Sequence, residues 1–413
     1  MIFIPTRAAG LSRLTDFLPH AGKAYENSRN FDDPPKNDGL RGNVSQLSPW
    51  LHAGLLNEQE VIAAVLSTHS PKAADKFIAE VFWRIYFKGY LEQRPSIWRS
   101  YCGDRNAALE RMEANSGLQK AYAEATEGHT GIAAFDHWAR ELVETGYLHN
   151  HARMWFASIW IFTLKLDWQL GADFFLRHLV DGDAASNTLS WRWVGGLHTK
   201  GKTYLARPDN IERYTANHLS GPLIAQGLAL DAPALEEREE HGRNPITFPH
   251  SGIPDEPFAL LLHDEAAHHE AITLPAKPSL IIGTARPDAR SPVSMGSDAR
   301  EFAMRAVEAS VQEAGNAFGC DTVMWPGDQS LSDILAKAGL RHVVVPYLPV
   351  GWTKDALLGD FQPLADQNHL HILTSELDKA TWPFAKAGFF GVKKKIEAIL
   401  GEVGIFGEPV AAA

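Results

Sequence analysis

Between Leu179 and Trp193 the chain reads LVDGDAASNTLSWRW, which packs two carboxylates, a carboxamide and two indoles into fifteen residues. Acids and an amide can hydrogen-bond the polar edge of a ring cofactor, and indoles can stack on rings or pass electrons. As a metal site the segment is weak, because Asp181 and Asp183 lie two apart with no paired histidine ligands and no EF-hand pattern. Taken alone it also reads as a helix N-cap followed by a packed aromatic turn. A second stretch, Gly196 to Thr203, satisfies G-x-x-x-x-G-K-T. A phosphate loop needs a buried strand before it and a long helix after it. Here WRWVG precedes it and Pro208 limits any helix that follows, so it reads as a polar turn. His263, His268 and His269 offer imidazoles to a metal, but read as surface residues beside a loop.

The elements that position these residues fall into two kinds. The length of 413 residues, 45% hydrophobic and 22% charged, excludes disorder and calls for more than one core. Residues 1–215 are predicted to be all-helical, because apolar positions recur at three and four residues. In FDHWARELVETGYLHNHARMWFASIWIF, from Phe135 to Phe162, Gly146 ends one helix and a second, apolar nearly all round, begins soon after. Residues 216–256, with five prolines and the run EEREEHGR, read as a linker or wrap. Residues 257–413 alternate short apolar strands with helices: strands at 258–263, 279–285, 321–325 and 342–348, helices near 298–316 and 330–338, and a tail helix from Phe384 to Leu400. That pattern predicts a Rossmann-like, doubly wound parallel sheet, giving a multi-domain α and α/β chain. It has no dinucleotide fingerprint G-x-G-x-x-G.

Charge and cysteine narrow the classes further. Residues 1–215 hold 24 Lys+Arg and 24 Asp+Glu, and the remaining 15 and 26 carry the whole net charge of −11. The neutral front half leaves room for a basic face, and the back half reads as a poor phosphate binder. Cys102 and Cys320 cannot build a disulfide framework or a four-thiolate metal site, which fits a reducing cytoplasm. The longest nearly apolar run, Met154 to Phe162, is about half a bilayer span, and the N-terminus lacks a basic signal-peptide start, so no membrane association is expected.

The segment 179–193 has ordered companions: SQLSPWLHAGLL at 45–56, EVFWRIYF at 80–87, GYLHNHARM at 146–154 and LDW at 166–168. Together, from about Pro5 to Thr215, these resemble the cryptochrome/photolyase family. The resemblance implies FAD, held non-covalently in a bent form, photoreduced through tryptophans and used for DNA repair or light signalling. It implies that Tyr25, Val44, Ser45, Leu47 and Ser48 cradle the FAD phosphates, with charge from Arg84. Asp181 and Asp183 would lie beside flavin and ribose, Arg153 would pair with the first acid, and Asn187 would face flavin N5. An amide at N5 cannot readily give up a proton, which tilts the reading toward repair. Glu80, Trp83, Asn150, Met154 and Trp193 match the positions that receive a flipped pyrimidine dimer, with Glu80 and Asn150 bonding its edges and Asn150 also counted among the cofactor contacts.

The pattern departs from the family in three places. Trp191 and Trp168 match the proximal and middle relay tryptophans, but the distal position is Asn115, with Trp98, Tyr101, Tyr122 or Trp138 as substitutes. Phe77 stands where many relatives carry Trp. The family's α/β antenna domain does not precede the helical region, and residues 257–413 are its relocated counterpart or an unrelated fold; any antenna chromophore is unknown. The expectation is a cytoplasmic, monomeric, blue-light-driven lyase that repairs cyclobutane pyrimidine dimers in damaged DNA. The alternatives are a cryptochrome-like sensor with a protein partner and a flavoprotein preferring single strands.

Overall fold

The computed structural model describes residues 2–249, 252–274 and 276–405. Its first part is helical: α1 Arg7–Phe17, α2 Lys23–Ser28, α3 Ser48–His52, α4 Glu58–Thr68, α5 Pro71–Glu92, α6 Pro95–Glu113, α7 Ser116–Thr126, α8 Ala133–Thr145, α9 Asn150–Ser158, α10 Trp168–His178, α11 Ala184–Val194 and α12 Pro208–Tyr214. Helix starts follow local chemistry. Asn57 and Glu60 form a reciprocal capping box on α4, and Ser70 caps α5 ahead of Pro71. Gly146, at φ 66°, ends α8 in the left-handed conformation that glycine adopts without strain. Helix α9 runs into a π-helical turn, Ile159–Thr163, and Trp155, Phe156 and Trp160 are wholly buried there. An apolar surface all round thus does mean an interior helix.

Residues 216–256 contain no helix or strand among those described, and lie along the helical part. Backbone bonds from Ala134 N to Ile224 O (2.9 Å), Leu235 N to Gly195 O (2.9 Å) and Asn244 N to Gln93 O (2.8 Å) hold them down. The Arg192–Glu237 ion pair adds a side-chain tie.

The last part is α/β: β1 Phe258–His263, β2 Leu280–Thr284, α13 Ser297–Phe318, β3 Asp321–Met324, α14 Leu331–Lys337, β4 His342–Pro346, α15 Trp352–Asp366, β5 Leu370–Leu373, α16 Glu376–Thr381, α17 Phe390–Lys393 and α18 Ile396–Glu402. The strands form one parallel sheet in the order β3-β2-β1-β4-β5. Strands β1 and β2 are buried along their whole length, because helices cover both faces. Ala259, Leu261, Ile282 and Val345 point to a small core with α14 and α15, while Leu260, Leu262, Ile281 and Val344 join a core shared with α13, α1 and α5.

Three expectations are corrected. The tail from Phe384 to Leu400 is not one helix: it holds an irregular stretch around Gly388 and the two short helices α17 and α18. Strand β5 and helix α15 were not anticipated; β5 is short and half-buried, with His371 in its middle, and α15 contains Pro363. His263 and His268 are buried rather than on the surface. His263 Nε2 meets Pro346 O at 3.1 Å, and burial pushes its pKa down to about 4; His268 Nε2 meets Glu313 Oε2 at 2.8 Å. Residues 196–203 form turns after α11, with no strand feeding them.

The two parts meet backbone to backbone. Ala267 N donates to Ala53 O (2.9 Å) and His268 N to Gly54 O (3.2 Å). Gly54 sits at φ 64°, and a Cβ there would lie 2.5 Å from Ala266 Cα, so this approach requires glycine. None of the described helices is long and apolar enough to cross a membrane.

Candidate functional site

Helices α5, α9 and α11 converge on a cavity of about 400 Å³, within the range of small-molecule sites. Helix α5 presents Glu80, Trp83, Arg84 and Phe87; α9 presents Asn150, Arg153, Met154 and Ala157. Both sets recur at three and four residues, so each lies on one helix face. Helix α11 adds Asn187, Trp191 and Val194, flanked by Ser186 and Ser190, and the loop before it adds Asp181 to Asp183. Asp183 caps α11 by accepting from Ser186 N at 2.6 Å.

The lining is graded in depth. Asp181, Asp183, Asn187 and Trp191 form a buried floor, while Glu80, Trp83, Met154 and Trp193 are half-buried and Asn150 is exposed at the mouth. Charges alternate around the wall. Arg153 Nη2 donates to Asp181 Oδ2 at 2.8 Å, Arg84 Nη1 lies 3.6 Å from Asp183 Oδ2, and Arg29 pairs with Glu80. Burial alone would raise the Asp183 pKa, but Arg84, Lys88 and His52 more than reverse this and hold it well below the usual carboxylate range. Asn187 Nδ2 donates to Ala172 O at 2.9 Å, which leaves its acceptor oxygen for the cavity. Asp181 Oδ1 and Trp191 Nε1 are buried without a hydrogen-bond partner among the described residues. A polar, planar ligand with ring N–H donors would meet the first of these, so the floor fits a flavin.

Six of the expected residues lie outside this cavity lining. Tyr25 is buried against Phe17 (6.0 Å) and Phe77 (5.3 Å). Val44 and Leu47 are buried, Ser45 Oγ accepts from Leu47 N at 3.4 Å, and Ser48 opens α3. Arg13 binds the carbonyls of Arg41, Val44 and Ser45, each at 2.7 Å, and fixes this segment. Helix α3 then links it to the cavity wall, where Arg84 Nη2 donates to Leu51 O at 3.3 Å. Arg84 is also bound by Glu58 at 3.0 Å, so part of its charge is already answered.

The sixth, Trp168, has its close ring contact with Tyr101 at 5.6 Å. Trp191 instead meets Phe175 (5.1 Å) and Trp160 (6.3 Å), and Trp160 meets Tyr122 at 5.9 Å. Asn115 is exposed and caps α7 through Gly117 N and Leu118 N. Tyr122, on that same helix, lines a second surface concavity and accepts from Arg177 Nη2 at 2.7 Å.

Sequence reasoning missed Arg29, Phe87, Ser186 and Ser190. Arg29 stands one turn after Tyr25, and the two serines stand three residues from the acid and the amide, so helical spacing was the available signal. It also missed His52, Glu265 and Arg290 behind the cavity. Ligand atoms of His52, Asp183 and Glu265 lie within 4.8 Å of one another. Arg84 and Arg290 occupy the same space, and Arg290 Nη2 donates to His52 Nε2 at 3.3 Å. That bond puts the imidazole proton on Nδ1, the atom a metal would need, so the cluster reads as an ion-pair network.

Residues 77–217 match the family described as the FAD binding domain of DNA photolyase. A deoxyribodipyrimidine photo-lyase of Agrobacterium fabrum is 33% identical over 198 residues, covering 47% of this chain and 39% of the relative. That of Streptomyces griseus is 32% identical over 217 residues, covering 49% and 44%. A solved bacterial class III photolyase from Agrobacterium tumefaciens is 30% identical, with a TM-score of 0.42, covering 51% of this chain and 42% of that one. The chain spans about two fifths of the length of the curated relatives it matches. It carries the flavin domain of the cryptochrome/photolyase family, in helical form, joined to an α/β part. Residues 77–217 thus match the FAD-binding domain of that family, which makes FAD the cofactor of this region.

Proposed function

We propose that this protein is a light-driven DNA photolyase acting on cyclobutane pyrimidine dimers. One observation carries the reading: the floor of Asp181, Asp183, Asn187 and Trp191 and the rim of Glu80, Trp83, Asn150, Met154 and Trp193 belong to a single graded cavity. FAD held by these residues would supply photoexcited electron transfer, the redox chemistry that the side chains themselves lack.

The chain's own residues hold the reactants and control protons. Asn187, the residue that the resemblance places at flavin N5, presents an oxygen that can only accept, so no acid is available there to protonate the ring. Asp181, steered by Arg153, offers its free oxygen to a ring N–H. Arg13 fixes the carbonyl side of residues 41–45, and the amides and hydroxyls of Ser45 and Ser48 are the donors for the FAD diphosphate. Trp83 and Trp193 stack on extruded bases, at roughly 1–3 kcal/mol per base, which offsets the few kcal/mol of unstacking. Glu80 and Asn150 hydrogen-bond the base edges, and Met154 fills space against the rings. In this reading residues 1–215 form the flavin domain, 216–256 the wrap and 257–413 a relocated antenna-type domain.

The test is illumination of the purified, FAD-loaded protein with a dimer-containing oligonucleotide, single- and double-stranded. Recovery of thymine absorbance on either is expected. No recovery on both, with the cofactor retained, overturns repair and leaves the light sensor. The sensor draws on one observation: Glu80 is already paired with Arg29 through Oε1, which leaves only part of its carboxylate for a base edge.

A further inference from the structure

The back half of the chain is acidic, yet its segment from Phe384 to Ile396, FAKAGFFGVKKKI, holds four lysines and no acid. Those four are among only 15 basic residues in the whole of 216–413. The segment lies outside the residues matched to the flavin-domain family, and nothing in the cavity described above uses its charge.

Its position is fixed by the cavity's own helix. The ring of Phe389 stacks on Trp83 at 4.0 Å and 16°, and Trp83 lines the cavity mouth. Tyr86 Oη donates to Ala387 O at 2.6 Å, and Arg94 Nη2 to Lys386 O at 2.6 Å. Tyr86 Oη also lies 3.0 Å from His198 Nε2, which belongs to the turn carrying the exposed Lys200 and Lys202. One hydroxyl therefore joins two lysine-bearing segments beside the mouth. Lys386, Lys394 and Lys395 are exposed. Lys393 is half-buried and lies 3.5 Å from Asp75, and the Lys395 ammonium sits 5.8 Å above the Phe384 ring. Phe390 is 76% exposed, the most exposed phenylalanine among the described residues. Lysines interleaved with bare aromatic rings make a surface suited to a nucleic-acid backbone.

We infer that residues 384–395 are a DNA-binding strip, supplied by the part of the chain outside the flavin domain, that grips phosphates flanking the site from which a flipped dimer enters the cavity. The inference rests on the repair reading and names the surface that would seat its substrate. Phe389 is a positioning residue in it, since it holds the back of the Trp83 ring. Lys386, Lys394 and Lys395 supply charge, and duplex DNA is the partner that the charge and the adjoining cavity select.

The test compares the full-length, FAD-loaded protein with its K386Q/K394Q/K395Q variant in binding a duplex bearing one thymine dimer, by fluorescence anisotropy across a salt series. Lost phosphate contacts flatten the slope of log K against log salt by about 0.9 each, so a change of about 2 to 3 is expected, with at least about tenfold weaker binding at moderate salt. Cofactor content and repair at saturating DNA should be unchanged. A second variant, Phe390→Ser, should weaken binding without changing the slope. If the wild type binds and the triple variant keeps both slope and affinity, the strip is overturned while repair stands. If the wild type binds no damaged duplex, the strip falls with it; repair of single strands would then show that the repair reading survives.

Discussion

Glu265 shows how much one carboxyl can report. It comes from the α/β part but is buried beside Asp183 and Asp264, and burial first, then these two acids, push its pKa up to about 7 against the pull of Lys88. Between about 4.5 and 7 the folded protein keeps a proton there that the unfolded chain releases. Its contribution therefore favours the fold at low pH and is lost as pH rises through 7, by about 3 kcal/mol at 1.36 kcal/mol per unit. Urea midpoints from pH 5 to 8 should fall more steeply for the parent than for Glu265→Gln, and parallel curves would contradict this. The electron path is a second matter for single residues. Trp160→Phe should slow light-driven bleaching of the bound flavin by about tenfold or more, equivalent to about 1.4 kcal/mol of barrier. If only Trp168→Phe slows it, the path follows the relay that the resemblance implies. Sequence could name Trp191 and list Tyr122, but not Trp160, because an indole inside a helix that is apolar all round looks like core whichever way it points.

At the scale of elements, the close crossing of α10 and α11 makes the floor possible. A Cβ on Gly171 would lie 2.3 Å from Trp191 Cη2 and 2.9 Å from Trp160 Cε2. Neither ring is the free end of a flexible chain, so Gly171→Ala should force the helices apart at a cost of about 1–3 kcal/mol. A lowered urea midpoint with reduced FAD content would show it; an unchanged protein would mean the indoles have room to yield. Elements with strong periodicity were legible in advance: the α8–α9 pair broken at Gly146, and the fully buried β1 and β2. Elements that mix signals were not. Strand β5 sets a single histidine among three aliphatic residues at a sheet edge, and the tail mixes aromatic, glycine and lysine residues because it serves a stacking contact and a charged surface together. Likewise the floor and rim residues could be named from spaced motifs, and Arg29 stands one turn after Tyr25, whereas Glu265 and Arg290 reach the site through tertiary approach alone, which no local pattern records.

On the scale of the whole molecule, the α/β part is no loose appendage. Its carboxyl strand ends face the flavin domain, and the crevice beside β1, where open parallel sheets usually take ligands, is filled by its own groups. Asp264 accepts from Thr353 Oγ1 at 3.1 Å and Arg286 N at 3.1 Å, and Arg290 crosses to Leu179 O at 3.0 Å. A chromophore in this part would have to sit elsewhere. The splice at Gly54 carries the larger consequence. Because Ala53 and Gly54 terminate the short helix that begins at Ser48, a residue we propose as a donor to the FAD diphosphate, prising the two halves apart would on that reading also disturb the grip on the coenzyme. Denaturation should release yellow colour and melt the sheet in one concerted step, and Gly54→Ala should lower the temperature of both together. Two separated transitions would mean that each half keeps its own counsel; one shared transition would make the bound pigment a gauge of how firmly the sheet is docked.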